Sequence, residues 1–326
     1  MNRLLPLLLI LLLAFPASAD TYAGRADVAA FIAEMQARHG FDRDALEALF
    51  AKTRLIPNVI KAILPPPEPG IRSWQTYRGR FVEPHRIAAG LRFQRQHAAT
   101  LAQAQAQYDV PEEIILAIIG VETIYGKQIG RFNTFGALAT LAFDYPPRAD
   151  LFRGELEALL LLARDEKRDP LSYKGSYAGA LGLPQFLPSS LRRWGTDFDG
   201  DGRIDLTTSP ADAIGSVAVF LKEHGWEKDG PIAVPATVAG DPAALIDAGI
   251  RPQRLPAEMA GVQADGAPPL PAALIDLATP DAQTEYWLGY NNFYVLTRYN
   301  RSSFYAMAVL QLAQALKAAR QVAASH

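Results

Sequence analysis

The chain has 326 residues, with 32 Lys and Arg against 34 Asp and Glu and a formal net charge of −2. So close a balance argues against a nucleic-acid binder, which carries a basic excess, and 49% hydrophobic with 20% charged residues excludes a disordered chain. Cysteine is absent, which excludes disulfides, thiol catalysis, Cys-ligated zinc, iron–sulfur clusters and a lipid attached through Cys.

The chain opens as a secretory signal peptide over residues 1–19: a basic Asn2-Arg3, an apolar run over 4–15, and the small-x-small site Ala17-Ser18-Ala19. The run is too short to span a bilayer comfortably, and no later stretch reaches transmembrane length. The mature protein is therefore expected to be exported, soluble and without a membrane span or lipid anchor. It reads as mainly helical. Val28, Phe31, Ile32 and Met35 follow helical spacing with Gly40 as a stop, and Asp42 opens a short helix carrying Leu46, Leu49 and Phe50. Residues 65–70, Pro-Pro-Pro-Glu-Pro-Gly, form a stiff breaker. The Ala- and Gln-rich stretch 84–108 reads as one long helix.

Pro111, Glu112 and Glu113 suit the positive end of the next helix. It is apolar all round through Ile114, Leu116, Ile118 and Val121, and so should be buried, ending near Gly126. Helices are also expected over 134–143, 148–165, 188–194, 210–224 and from about 302, where Tyr305, Val309, Leu312 and Leu316 share a face. The Pro-, Ala-, Val- and Gly-rich stretch 230–283 lacks a helical period; Ile232-Ala233-Val234 and Thr237-Val238 suggest a small β excursion.

Glu122 is the acid that breaks the apolar pattern. Apolar surroundings and the negative end of a helix both disfavour its charged form and raise its pKa. A carboxyl kept protonated near neutral pH suits a general acid that protonates a glycosidic oxygen, although a structural ion pair uses the same residue type. Residues 176–186 form a small-residue turn in which the Ser176 hydroxyl and the Gln185 amide suit sugar hydroxyl and acetamido groups. Near the C-terminus, Tyr286-Trp287 and Arg298-Tyr299-Asn300-Arg301 offer aromatic faces with amide neighbours, each as readily a core residue as part of a saccharide groove.

The sharpest motif is Asp197-Phe198-Asp199-Gly200-Asp201-Gly202-Arg203-Ile204-Asp205. Acids at the first, third and fifth positions and Gly at the sixth match the opening of an EF-hand, with the Arg203 carbonyl at the seventh. Thr208 replaces the closing Glu, so Asp212 at the start of the next helix is the best-placed last ligand, with Asp205 acting through water. The site is expected to hold a structural Ca2+. The five histidines, His39, His85, His97, His224 and His326, show no metal-ligand spacing.

Together these pieces resemble the membrane-bound lytic murein transglycosylase B family, glycoside hydrolase family 103. The resemblance lies in Gly120-Val121-Glu122-Thr123 with Tyr125-Gly126, residues 137–141 with Asp144-Tyr145-Pro146, Lys174-Gly175-Ser176-Tyr177-Ala178-Gly179-Ala180 with Gln185-Phe186, the acidic loop, residues 212–217 and Arg298-Tyr299-Asn300. It implies a mainly α fold: a lysozyme-like helical core over 109–228 with the EF-hand-like calcium loop, a surrounding α domain over 20–108 and 284–326, and a small β domain over 229–283. It implies cleavage of the β-1,4 bond between N-acetylmuramic acid and N-acetylglucosamine in peptidoglycan strands, leaving a 1,6-anhydromuramoyl end. Glu122 would serve as sole acid and base, assisted by the substrate's N-acetyl group. By the same pattern Ser176, Gln185, Tyr299 and Asn300 contact the glycan, and Tyr77 and Arg148 serve outer subsites or the peptide stem. Pro147-Arg148 stands where the family pattern has two arginines. With no lipoprotein cysteine, the resemblance implies a soluble, monomeric periplasmic form, open to recruitment by wall-synthesis proteins. A hydrolytic muramidase would need a second carboxylate, for which Asp144 and Asp150 are candidates by proximity in sequence. A non-catalytic wall-binding module would leave Glu122 in a costly position without a use.

Overall fold

The computed structural model describes residues 21–65 and 72–324, so the signal peptide and most of the proline-rich breaker lie outside the described residues. The chain is mainly helical with two small sheets. Capping follows the sequence closely. Asp42 accepts the Ala45 N–H at 2.7 Å to open helix Arg43–Ala51, and Ser209 accepts the Asp212 N–H at 3.2 Å to open Pro210–Glu223. Glu83 caps Pro84–Gln96 through the His85 and Arg86 N–H groups.

The expected single helix over 84–108 is two, Pro84–Gln96 and Ala98–Tyr108. His97 leaves helical geometry at φ −121° and ψ 26°, its ring 4.4 Å from that of Phe93. The break re-aims the second piece so that Leu101 and Ala104 reach the core. Helix Glu112–Thr123 is buried on nearly every face, as its composition requires, and ends three residues earlier than Gly126. Helix Ser303–Ala324 packs along it, with Val309, Leu312 and Leu316 all buried.

One continuous apolar core runs from Tyr22 through this helix pair to Leu316, so both ends of the described chain close on the same centre. The antiparallel four-stranded sheet has the order Val262–Gln263, Ala233–Val238, Glu285–Gly289, Ala273–Leu277, over a satellite core around Met259, Leu274 and Leu288. Its inner strand Glu285–Gly289 lies beyond 283, so the β unit does not end where composition changes. The Trp74 N–H donates to the Ala278 carbonyl at 2.8 Å and joins the sheet to helix Trp74–Phe81.

Candidate active site

Helix Glu112–Thr123 stops because Ile124 and Tyr125 turn left-handed, at φ 52° and 57°, followed by Gly126 at φ 86°. Thr123, fully buried, fastens this end: its Oγ1 donates to the Leu183 carbonyl at 2.8 Å and accepts the Gly126 N–H at 3.0 Å. The helix is thereby tied to the small-residue turn. Glu122 itself is half-buried. The Tyr305 hydroxyl donates to Glu122 Oε1 at 2.7 Å. Burial pushes the Glu122 carboxyl up to about 7, against a smaller downward pull from Tyr305. The tyrosines Tyr77, Tyr299 and Tyr305 all lie within the field of Glu122, and burial first, then that charge, raises each phenol. They remain neutral donors at any pH where the carboxyl titrates.

Tyr299 stacks parallel to Tyr305, with ring centroids 6.2 Å apart, and donates its hydroxyl to the Pro184 carbonyl at 2.5 Å. It therefore presents a ring and holds the turn. Asn300 follows at the exposed helix end. Tyr77 packs among Trp74, Phe81 and Phe304. In the turn, Ser176 Oγ accepts the Ala180 N–H at 3.0 Å, which leaves the hydroxyl proton for a ligand. Gln185 sits at φ 53°, and its Nε2 donates to the carbonyls of Ile129 at 3.2 Å and Gly182 at 2.9 Å. Both amide protons are committed, so Oε1 is the atom offered to a ligand, and it accepts. Gly130 is obligatory here: at φ 92°, a Cβ on it would lie 2.1 Å from the Gly175 carbonyl oxygen.

Arg148 does not join this group; it is exposed, with its guanidinium 5.3 Å from the Phe152 ring centroid. Neither proposed second carboxylate is free for chemistry at Glu122. Asp144 accepts from Tyr22 and from Arg25, each at 2.7 Å, and the Asp150 side chain is 99% exposed beside Arg153. Sequence reasoning placed Tyr305 on a core stripe and missed its bond to Glu122. A buried tyrosine hydroxyl among aliphatic residues needs a partner, and that was the available signal.

Carboxylate oxygens of Asp197, Asp199 and Asp212 converge within 4.8 Å of one another. Asp212 is 1% exposed, and burial and then the Asp199 charge push its carboxyl up. Among the described residues none of the three has a cationic side-chain partner. A buried carboxylate crowded by like charge fits a site built for a cation. Asp201 stands outside this trio, with Oδ1 accepting the Arg203 N–H at 2.8 Å. Asp205 caps the Thr207 and Thr208 N–H groups instead of facing the trio.

The transglycosylase SLT domain family matches residues 23–314. Membrane-bound lytic murein transglycosylase B of Escherichia coli (strain K12) is 41% identical over 312 residues, covering 92% of this chain and 85% of the relative. The soluble lytic transglycosylase SltB1 of Pseudomonas aeruginosa superposes with a TM-score of 0.84 at 44% identity, covering 90% of this chain and 99% of the other. Escherichia coli Slt35 in complex with calcium superposes with a TM-score of 0.82 at 39% identity, covering 93% and 96%. The split of the 84–108 helix, the earlier end of helix Glu112–Thr123 and one sheet boundary aside, the expected mainly α, lysozyme-like architecture is the one these structures share. The chain belongs to the transglycosylase SLT domain family and is a lytic murein transglycosylase, an enzyme that degrades peptidoglycan.

Proposed function

We propose that Glu122 alone carries both proton transfers of the reaction, at the bond between N-acetylmuramic acid and N-acetylglucosamine. The protonated carboxyl gives its proton to the glycosidic oxygen as the bond to C1 breaks. The muramoyl acetamido oxygen stabilises C1 while the leaving glycan departs. The Glu122 carboxylate then takes the proton of the C6 hydroxyl as O6 closes on C1, giving the 1,6-anhydro end and restoring the acid. No water is consumed, so no second carboxylate is needed to activate one. The observation that carries this reading is Glu122 itself: half-buried at the end of an apolar helix, held by Tyr305 and pushed up to about 7, where one group serves as acid and then as base.

Ser176 and Gln185 bind the acetamido region, the hydroxyl as donor to its carbonyl and Gln185 Oε1 as acceptor of its N–H. Tyr299 and Tyr77 give the groove aromatic walls, with Asn300 at its rim. Arg148, exposed and apart, is assigned to the peptide stem. The groove lies between the 109–228 core, which supplies Glu122, Ser176 and Gln185, and the surrounding 20–108 and 284–326 segments, which supply Tyr77, Tyr299 and Tyr305. Asp197, Asp199, Asp212 and the Arg203 carbonyl would hold Ca2+, with Asp201 turning inward on binding; the calcium complex of Slt35 supports this choice of ion. The ion would supply charge neutralisation that pins the loop to helix Pro210–Glu223. Residues 1–19 would direct the protein to the periplasm, where murein lies. Among the described residues no helix is long and apolar enough to cross a membrane.

The test is digestion of purified peptidoglycan by the mature protein and by Glu122→Gln, with product masses read out. Fragments lighter by one water than hydrolytic muropeptides, absent with the variant, are expected. Reducing-end products would mean hydrolysis instead, and undiminished activity in Glu122→Gln would remove it from the mechanism.

A further inference from the structure

Arg86 is buried, with 7% of its surface exposed, and forms no ion pair among the described residues. A buried cation is costly unless its charge is answered nearby. Here the Glu83 charge acts from the helix start, and the guanidinium's own hydrogen bonds go to two helix ends. Its Nη1 donates to the Gly120 carbonyl, in the last turn of Glu112–Thr123, and its Nη2 donates to the Arg80 carbonyl at 3.1 Å, in the last turn of Trp74–Phe81. The guanidinium lies 5.2 Å from the Phe81 ring centroid. These helices carry Glu122 and Tyr77, and the Glu122 charge acts on the Tyr77 phenol. Carbonyls at a helix C-terminus carry partial negative charge, so one planar fork joins two negative ends.

The surroundings are built for this approach. A Cβ on Gly90 or on Gly120 would each lie 2.4 Å from the Tyr125 hydroxyl, which is wedged between the Arg86 helix and the Glu122 helix. We propose that Arg86 is a positioning residue: its guanidinium locks the helix ends carrying Glu122 and Tyr77 in register, and its charge offsets the negative helix end beside Glu122. The proposal rests on the reading of Glu122 as the acid.

The charged groups facing this region are few. Tyr77, Tyr299 and Tyr305 face Glu122; Glu83 and Tyr125 face Arg86; the Arg80 charge acts on Tyr77; Lys127 is exposed on the following turn. Lys317 and Arg320 of the C-terminal helix pair with Glu113 and Glu112, at the opposite end of the Glu122 helix. Of these cations Arg86 is the one that donates to a carbonyl of that helix end, through Gly120. A cation favours the carboxylate, so its removal raises the carboxyl's pKa.

The experiment measures the pH dependence of kcat/KM for murein digestion together with the titration of the Glu122 carboxyl carbon resonance, assigned by its loss in Glu122→Gln. The variants are Arg86→Met, Arg86→Gln and Arg86→Lys. In Met and Gln the titration and the alkaline limb should move up by roughly half to one pH unit. Their kcat should fall on the order of tenfold with KM little changed, since misplacing the acid costs turnover rather than ground-state binding. Arg86→Lys keeps the charge and loses the fork, so its limb should stay in place while kcat falls. If neither uncharged variant moves the titration, or if Arg86→Lys keeps full kcat, the proposal is overturned. Should one uncharged variant fail to fold, the other and Lys decide it. A Glu122 resonance that does not titrate near 7 in the unsubstituted protein would instead count against Glu122 as the acid.

Discussion

Tyr305→Phe isolates the hydrogen bond that adjusts the strength of Glu122, the proposed catalytic acid. The ring is 2% exposed and stacks parallel to Tyr299, so phenylalanine fills the same volume and leaves no cavity. What is lost is one hydrogen bond, 2.7 Å long, from a neutral phenol to Glu122 Oε1. A bond to a charged group is worth about 1.5–3 kcal/mol. The protonated carboxyl also accepts from the phenol, more weakly, so roughly half of this distinguishes the two forms, about 1 kcal/mol. That corresponds to somewhat under one pH unit. The hydroxyl lowers the Glu122 pKa, so its removal must raise it, from about 7 toward about 8.

The assay is the pH profile of kcat/KM for release of soluble fragments from purified murein. The first step needs the protonated acid, so activity falls on the alkaline side as Glu122 ionises. The limb is expected to move up in Tyr305→Phe. Turnover at its plateau should drop on the order of threefold, because a weaker acid protonates the leaving oxygen more slowly. Other titrating groups do not confuse the limb. The three tyrosines are pushed upward, and burial holds His97 and His224 below the ordinary imidazole value. A limb that stays in place or moves to lower pH would refute the argument, since the phenol would then be a better partner for the acid than for its anion.

Further expectations follow from the same geometry. Glu122→Gln should stabilise the fold in a pH-dependent way. The native carboxyl holds its proton to about 7 and the unfolded one to 4.5, so native stability falls as pH rises across that window, by roughly 3 kcal/mol at most; a melting-temperature gain for the variant at pH 8 that vanishes at pH 4 is the expected result, and an equal gain at both would exclude burial of the acid as its cause. Removing calcium from the mature protein should lower the melting temperature by about 5 °C, from roughly 2–3 kcal/mol of linked binding, with recovery on adding Ca2+; an unchanged melting temperature under chelator would count against the Asp197, Asp199 and Asp212 site. Gln185→Glu sets a carboxylate against the Ile129 and Gly182 carbonyls and should raise KM at least tenfold, more than Gln185→Ala does; equal KM values would mean the amide orientation is irrelevant. Gly130→Ala forces a Cβ to 2.1 Å from the Gly175 oxygen at a left-handed φ and should cost about 3 kcal/mol of stability, read by denaturant unfolding.

How much was legible in the sequence depends on the range of the interaction. Glu122 stood out because an acid at the end of an apolar helix violates the local pattern, and the violation is visible within a dozen residues. The acidic loop was legible for the same reason: Asp197, Asp199 and the glycines repeat at a spacing that charge repulsion disfavours without a cation. Asp201 was harder to place, because whether a carboxylate turns inward or bonds the backbone of Arg203 is a choice of side-chain torsion that spacing does not encode. The break at His97 was hidden because Ala and Gln favour helix on both sides, and the turn is set by packing on Phe93. Tyr305 and Arg86 were hidden for a different reason. Tyr305 is 183 positions from Glu122 and sits in a stripe with Val309, Leu312 and Leu316 that any amphipathic helix would show. Arg86 lies in the first turn of a polar stretch, where an arginine reads as surface until the Glu122 helix is packed against it.

The same distinction bears on the proposal that one carboxylate suffices, and on Asp144 and Asp150, which only proximity in sequence offered as a second and which read more readily as surface residues. Asp144 ends helix Thr134–Asp144 and Asp150 opens helix Ala149–Asp165, and both are engaged elsewhere: Asp144 anchors Tyr22 and Arg25, and Asp150 meets solvent and Arg153. What surrounds Glu122 instead is a set of neutral phenols from distant segments. A nearby carboxylate would raise the Glu122 pKa by repulsion and also draw an activated water to C1. Phenols shield the acid from bulk water and bond its anion without activating a nucleophile of their own at the pH where it works. Burial and the Tyr305 hydrogen bond thus set the strength of the carboxyl, Arg86 is proposed to add to them from the helix end, and on the proposed mechanism the substrate's own C6 hydroxyl is the nucleophile that Glu122 serves.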